Sequence, residues 1–123
     1  MISIVDDDES VREATKGLVR SLGYSAMTFA SAEAFLHSKW INDTRCVISD
    51  VQMPGLSGVD LQSRLIAQGN RTPIIFVSAF SDERTRTRAL KAGAIAFLSK
   101  PFAEERLIAC LHAALADLEP VPA

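Results

Sequence analysis

Short β-prone apolar runs alternate with longer amphipathic segments along almost the whole chain, and this alternation restricts the fold more than any other feature. Ile2-Ser3-Ile4-Val5, Ala26 to Phe29, Cys46-Val47-Ile48-Ser49, Ile74-Ile75-Phe76-Val77 and Ile95 to Leu98 read as five strands. The fourth is apolar throughout, as a parallel strand covered on both faces requires, and Pro73 fits only at its start. Between the strands, residues 9–22 place Val11, Ala14, Leu18 and Leu22 on one helical face before Gly23 ends the helix. Ser31 opens a second helix carrying Phe35 and Leu36, and Ser57 with Asp60 three residues on makes a capping-box pattern ahead of Leu61 and Leu65. Residues 82–92 contain one large apolar side chain, Leu90, so this helix should pack lightly, as suits an element that shifts between arrangements. A last helix from Ala103 should bury Leu107, Ile108, Leu111, Leu115 and Leu118. Five strands alternating with five helices predict an α/β fold with an open, doubly wound, five-stranded parallel sheet, because each parallel crossover must pass over a sheet face.

A chain of 123 residues fits one compact domain and needs neither metal nor disulfide to fold. Apolar residues at 48% and charged residues at 23% exclude a disordered or fibrous chain. The 13 basic against 15 acidic residues argue against nucleic-acid binding through bulk charge. No apolar run approaches the roughly 18 residues of a membrane span, and acidic Asp6 comes too early for a signal peptide, so a cytoplasmic protein with no membrane contact is expected. Cys46 and Cys110 lack the spacing of a zinc or redox motif and read as buried free thiols. His37 and His112 are isolated surface or packing residues.

In a sheet of this class ligands bind beyond the carboxyl ends of the strands, so the residues that leave each strand matter most. The first strand ends in Asp6, Asp7 and Asp8, the third in Asp50, the fourth in Ser78 and the fifth in Lys100. With strands one, three and four as neighbours and five outside, all of these face one pocket. Two unit charges about 4 Å apart repel by roughly 4 kcal/mol at an effective dielectric near 20, so clustered carboxylates call for a divalent cation. The donors are hard oxygens with no His or Cys among them, which favours Mg²⁺, with Mn²⁺ as a substitute, over zinc. A carboxylate beside such a metal can accept a phosphoryl group as an acyl phosphate, which makes Asp50 the natural nucleophile, with Lys100 and Ser78 available to the added group.

Ile4-Val5-Asp6-Asp7-Asp8, Ser49-Asp50-Val51-Gln52-Met53-Pro54-Gly55, Val77-Ser78-Ala79 and Ser99-Lys100-Pro101-Phe102 together resemble a two-component response regulator receiver domain, most closely the FixJ-like subgroup. The resemblance spans residues 2–118 and implies a flavodoxin-like, CheY-like strand order 2-1-3-4-5. It implies residues 1–118 as the receiver and 119–123 as a tail or the start of a linker to an output domain. It further implies Asp50 as phosphoacceptor for the phosphohistidine of a sensor histidine kinase. Asp6, Asp7, Asp50 and the Gln52 main-chain carbonyl would form the metal site, with Asp7 binding directly. Lys100 matches the phosphate-contacting lysine, Ser78 the hydroxyl switch residue and Phe97 its aromatic partner, and the Lys100-Pro101 bond is expected to be cis. Gln52 and Phe80 correspond to positions that border the path of hydrolytic water, where a bulky Phe80 should slow loss of phosphate.

Ser78 replaces the commoner Thr and Phe97 the commoner Tyr, so an output that needs a tyrosine hydroxyl is put in doubt. Asp8 fits a helix cap better than a metal ligand. The resemblance implies a self-modifying switch rather than a conventional enzyme, with a helix 4/strand 5 face that dimerises on phosphorylation and a C-terminal DNA-binding output, or else a stand-alone receiver acting by protein binding. Two other classes share this architecture. A flavin or nucleotide carrier is opposed by the run Asp6 to Glu9, which repels phosphate without a metal, and a turnover Mg²⁺ phosphatase by the lack of any cap segment.

Overall fold

The computed structural model describes residues 1–79 and 82–116. Strands β1 (Ile2–Val5), β2 (Ala26–Phe29), β3 (Cys46–Asp50), β4 (Ile74–Ser78) and β5 (Ala96–Ser99) alternate with helices α1 (Glu9–Ser21), α2 (Ala32–Leu36), α3 (Gly58–Ala67), α4 (Glu83–Lys91) and α5 (Glu104–Ala116). The five strands form one parallel sheet in the order β2-β1-β3-β4-β5, as expected.

Period-two alternation along the strands divides the interior into two layers. Ile2 and Ile4 of β1, Cys46 and Ile48 of β3, and Ile75 and Val77 of β4 join Val19 of α1 and Leu107, Leu111 and Leu115 of α5 on one side. Val5, Val47, Ile74 and Phe76 face the other way, against Phe35 of α2, Leu61 and Leu65 of α3 and Ala89 of α4. Both faces of the sheet are thereby covered, which is why β4 reads as an apolar run from Ile74 to Val77.

The boundaries depart from expectation by single residues, each for a local reason. β3 and β4 extend to Asp50 and Ser78 because Asp50 pairs with Val77 and Ser78 with Ser99 in the ladders. β5 begins at Ala96: Gly93 turns the chain at a φ of 107°, the Ala94 N–H donates back to Ala89, and Ile95 is left 37% exposed at the sheet's end. On α1 the buried residue is Val19, flanked by the partly buried Leu18 and Leu22, whereas Ala14 is exposed. Ile108 is half-buried rather than buried, and Leu118 lies outside the described residues. A single 3₁₀ turn, Ile41–Asp43, precedes β3, where the Thr44 hydroxyl is shared between the Trp40 carbonyl and buried Ser3.

The capping box at α3 forms as read, with the Asp60 N–H donating to the Ser57 hydroxyl and the Ser57 N–H to the Asp60 carboxylate. Hydrogen bonds to the carboxylate from the Ser57 backbone N–H and, after it, the Ser57 side chain hold the Asp60 carboxyl below its ordinary range. Ser57→Ala should therefore lose about 1 kcal/mol of stability, read as a lower urea midpoint with an unchanged slope. The light packing expected of α4 is also present: Ala89 is its one buried residue, and the buried Gln62 amide donates to the Ala89 carbonyl at 3.0 Å.

Candidate functional site

In a parallel sheet every strand ends at the same edge, and the registers bring the chemistry-bearing residues together there. Val5 lies opposite Ser49, so Asp6 leaves β1 beside Asp50 at the end of β3. Ligand oxygens of Asp6, Asp7 and Asp50 fall within 4.8 Å of one another. The Lys100 Nζ, just beyond β5, is 3.2 Å from Asp6 Oδ2 and 3.5 Å from Asp50 Oδ2. Ser78 is buried at the end of β4, and its carbonyl accepts the Lys100 N–H at 2.7 Å. The Lys100-Pro101 peptide is cis.

Asp6 is held on every side. Its carboxylate, 2% exposed, accepts the Asp8 N–H through Oδ1 at 2.9 Å and the Lys100 ammonium through Oδ2. Its N–H donates to the Phe29 carbonyl, and its own carbonyl accepts the Arg12 guanidinium at 2.8 Å. Asp7 is exposed at the mouth. Asp8 stands apart from this group and caps α1, accepting the Ser10 and Val11 N–H groups through Oδ1.

Asp50 is largely buried, with a side chain 13% exposed, and accepts the Gln52 N–H at 3.3 Å. Burial pushes its carboxyl above the ordinary value, Lys100 opposes that rise, and the Asp6 charge adds to it. The donor set offers hard oxygens alone, a fit for a small divalent cation such as Mg²⁺ and a poor one for a thiophilic metal. Phe97 is buried, its ring centroid 6.1 Å from that of Phe76 at a tilt of 45°. Phe80 lies outside the described residues.

Against this geometry, a family model described as "Response regulator receiver domain" matches residues 2–112. The chain belongs to the response regulator receiver domains. The receiver is 45% identical over 115 residues to "Response regulator protein TodT" of Pseudomonas putida, covering 94% of this chain and 51% of that one. It is 38% identical over 119 residues to "Transcriptional regulatory protein FixJ" of Bradyrhizobium diazoefficiens, covering 97% of this chain and 58% of the relative. Among solved structures, FixJ-N superimposes with a TM-score of 0.85 at 32% identity, covering 98% of this chain and 96% of the other. The response regulator StyR superimposes with a TM-score of 0.85 at 42% identity, covering 94% of this chain and 58% of the other. The receiver thus spans about half the length of the curated relatives it matches. Among the described residues no helix is long and apolar enough to cross a membrane.

The structure adds residues that sequence reasoning missed. Arg12 reaches the Asp6 carbonyl from one turn inside α1, and Gly58 packs directly on the Asp50 carbonyl. Glu33 of α2 accepts the Leu56 N–H at 3.1 Å from a position 23 residues away, with no local pattern to announce it. The cysteines need one correction: Cys46 is buried, but Cys110 on α5 is only partly so, because it lies at the margin of the apolar layer. Burial raises both thiols, that of Cys46 to about 12, which leaves them without thiolate character near neutrality.

Proposed function

We propose that this receiver takes a phosphoryl group from the phosphohistidine of a sensor histidine kinase onto Asp50. The observation that carries the reading is the placement of a half-buried ammonium, Lys100, between Asp6 and Asp50 at the open ends of β1, β3 and β5. An Asp50 oxygen attacks phosphorus, the P–N bond to the donor breaks, and the imidazole leaves with the electron pair. Asp6, Asp7, Asp50 and the Gln52 carbonyl would hold Mg²⁺ or Mn²⁺, which when bound offsets carboxylate charge and polarises the phosphoryl oxygens. Lys100 and the Ser78 hydroxyl then contact the transferred group. The modified residue is the chain's own, so the product is an altered protein rather than a released compound.

An acyl phosphate at Asp50 adds negative charge where Lys100 now serves two carboxylates, and drawing Ser78 and Lys100 toward it would open space for Phe97. The readout on this proposal is the surface of α4 and β5, which controls dimerisation and a C-terminal DNA-binding output in a cytoplasmic regulator. The name of FixJ as a transcriptional regulatory protein supports that output. Slower loss of phosphate through Phe80 belongs to the same proposal.

Incubation with Mg²⁺ and a small acyl-phosphate donor should add the mass of one phosphoryl group. The adduct should be absent in Asp50→Asn and in excess chelator. If neither the small donor nor a phosphorylated kinase modifies the wild type, the proposal fails.

A further inference from the structure

We infer that Glu33 is a positioning residue for the phosphoacceptor loop, its carboxylate fastening residues 51–57 to α2 so that Gln52 is held beside Asp50. This rests on the proposed reading of Asp50 and Gln52.

The loop leaves β3 directly after Asp50 and returns at α3. Its base is closed by the Gly58 N–H donating to the Val51 carbonyl at 2.8 Å, and its return by the Ser57–Asp60 box. Both ties lie within a few residues of the loop itself, and so does the contact of the Gln52 N–H with Asp50 Oδ1. Besides the packing of Val51, Met53 and Leu56 on the apolar layer, a hydrogen bond ties the far end of the loop to another element: Glu33 Oε1 accepts the Leu56 N–H.

Gly55 makes that tie feasible. It adopts a φ of 79°, in the left-handed region that favours glycine, and this turns the chain so that the next N–H meets α2. A Cβ placed on Gly55 would lie 2.6 Å from Glu33 Oε2, so one carboxylate oxygen binds the loop while the other packs against it. A hydrogen bond to a charged acceptor is stronger than a neutral one, and Leu56 is only partly buried, so the bond holds the loop without being essential to the core.

The expected action of Glu33 on the three acids runs through the loop, as residues behind metal ligands act by fixing ligand direction. Glu33→Ala should exchange the Leu56 amide proton faster in metal-free protein. It should also weaken Mg²⁺ binding, read by calorimetry, by about 10-fold. Glu33→Gln keeps an acceptor oxygen and should restore both readouts to within about 2-fold of wild type. Gly55→Ala should weaken Mg²⁺ binding as Glu33→Ala does.

The inference is overturned if the wild type binds Mg²⁺ and Glu33→Ala binds it equally well. It is also overturned if Glu33→Gln, which keeps both the volume and an acceptor oxygen, behaves like Glu33→Ala, because the charge rather than the hydrogen bond to Leu56 would then be what matters. A wild type that takes neither Mg²⁺ nor phosphoryl group would sink the receiver mechanism instead, and unchanged Leu56 exchange in Glu33→Ala would sink the clamp by itself.

Discussion

Lys100→Met is expected to lose about 3 kcal/mol of folding stability in metal-free protein at neutral pH and to regain a large part of it on addition of Mg²⁺. The ammonium lies within 3.5 Å of two carboxylates, and its side chain is only 20% exposed, so screening by water is limited. Methionine keeps the length and apolar stem while deleting the charge. Asp6 and Asp50 would then repel across a partly dry site, with Asp7 close by, at a cost of roughly 4 kcal/mol for a pair about 4 Å apart at an effective dielectric near 20. An ordinary surface lysine would change stability by less than about 0.5 kcal/mol on removal.

The pH dependence provides a second check. Burial holds the Asp50 carboxyl above its ordinary value, so the folded protein binds that proton more tightly than the unfolded chain. Stability contributed in this way is complete below the ordinary carboxylate value and is lost as pH climbs through the raised one. Lys100 is the largest influence pulling Asp50 down, so its removal widens that interval. The gap between variant and wild type should be small at acid pH and open upward. Urea titrations across pH in chelator, repeated with Mg²⁺, read both effects. A gap that neither pH nor Mg²⁺ alters would assign the loss to packing of the side-chain stem.

The layers and the order of elements were legible because burial on both faces of the sheet leaves a plain mark. Ile74 to Val77 has no polar interruption, and the helices carry their caps in the sequence: Asp8, Ser31, Ser57. The site was legible for a related reason, since Asp6, Asp50, Ser78 and Lys100 each interrupt or follow an apolar run, and parallel pairing carries all such points to one edge. What escaped depends on distance along the chain. Glu33 is an acid in the first turn of a short helix, where the helix end alone accounts for it, and only the approach of α2 to the loop after β3 gives it a partner. Along α1, Leu18 and Leu22 pack as expected, but Val19 rather than Ala14 carries the burial, because propensity does not say which edge of the apolar stripe meets the sheet. Ile95 read as strand on hydropathy, although the turn at Gly93 delays the ladder by one residue.

Gly58 poses the sharpest conflict between local preference and tertiary demand, and Gly58→Ala should lose about 2 kcal/mol of stability and most of the capacity of Asp50 to accept phosphate. Glycine in a helix is worse than alanine by roughly 0.5–1 kcal/mol, so by propensity alone the substitution would stabilise α3. Space decides otherwise. A Cβ at this position would collide with the Asp50 carbonyl oxygen, and it would stand 2.9 Å from Phe76 Cε1 and 3.1 Å from the Asp50 carbonyl carbon. Two of those atoms are backbone and the third belongs to a fully buried ring, so none yields cheaply. Relief requires α3 to separate from the end of β3, and the residue displaced is Asp50, the proposed phosphoacceptor. A misplacement of about 1 Å can cost on the order of 100-fold in a reaction that depends on alignment. Gly17 supplies the opposite case within the same chain: it lies inside α1, and a Cβ there would meet nothing within 4 Å, so Gly17→Ala should gain about 0.5–1 kcal/mol and leave phosphorylation unchanged. Denaturant midpoints and phosphoryl incorporation measured on both variants check the argument. Equal behaviour of the two would mean that the contact between Gly58 and Asp50 does not control the site.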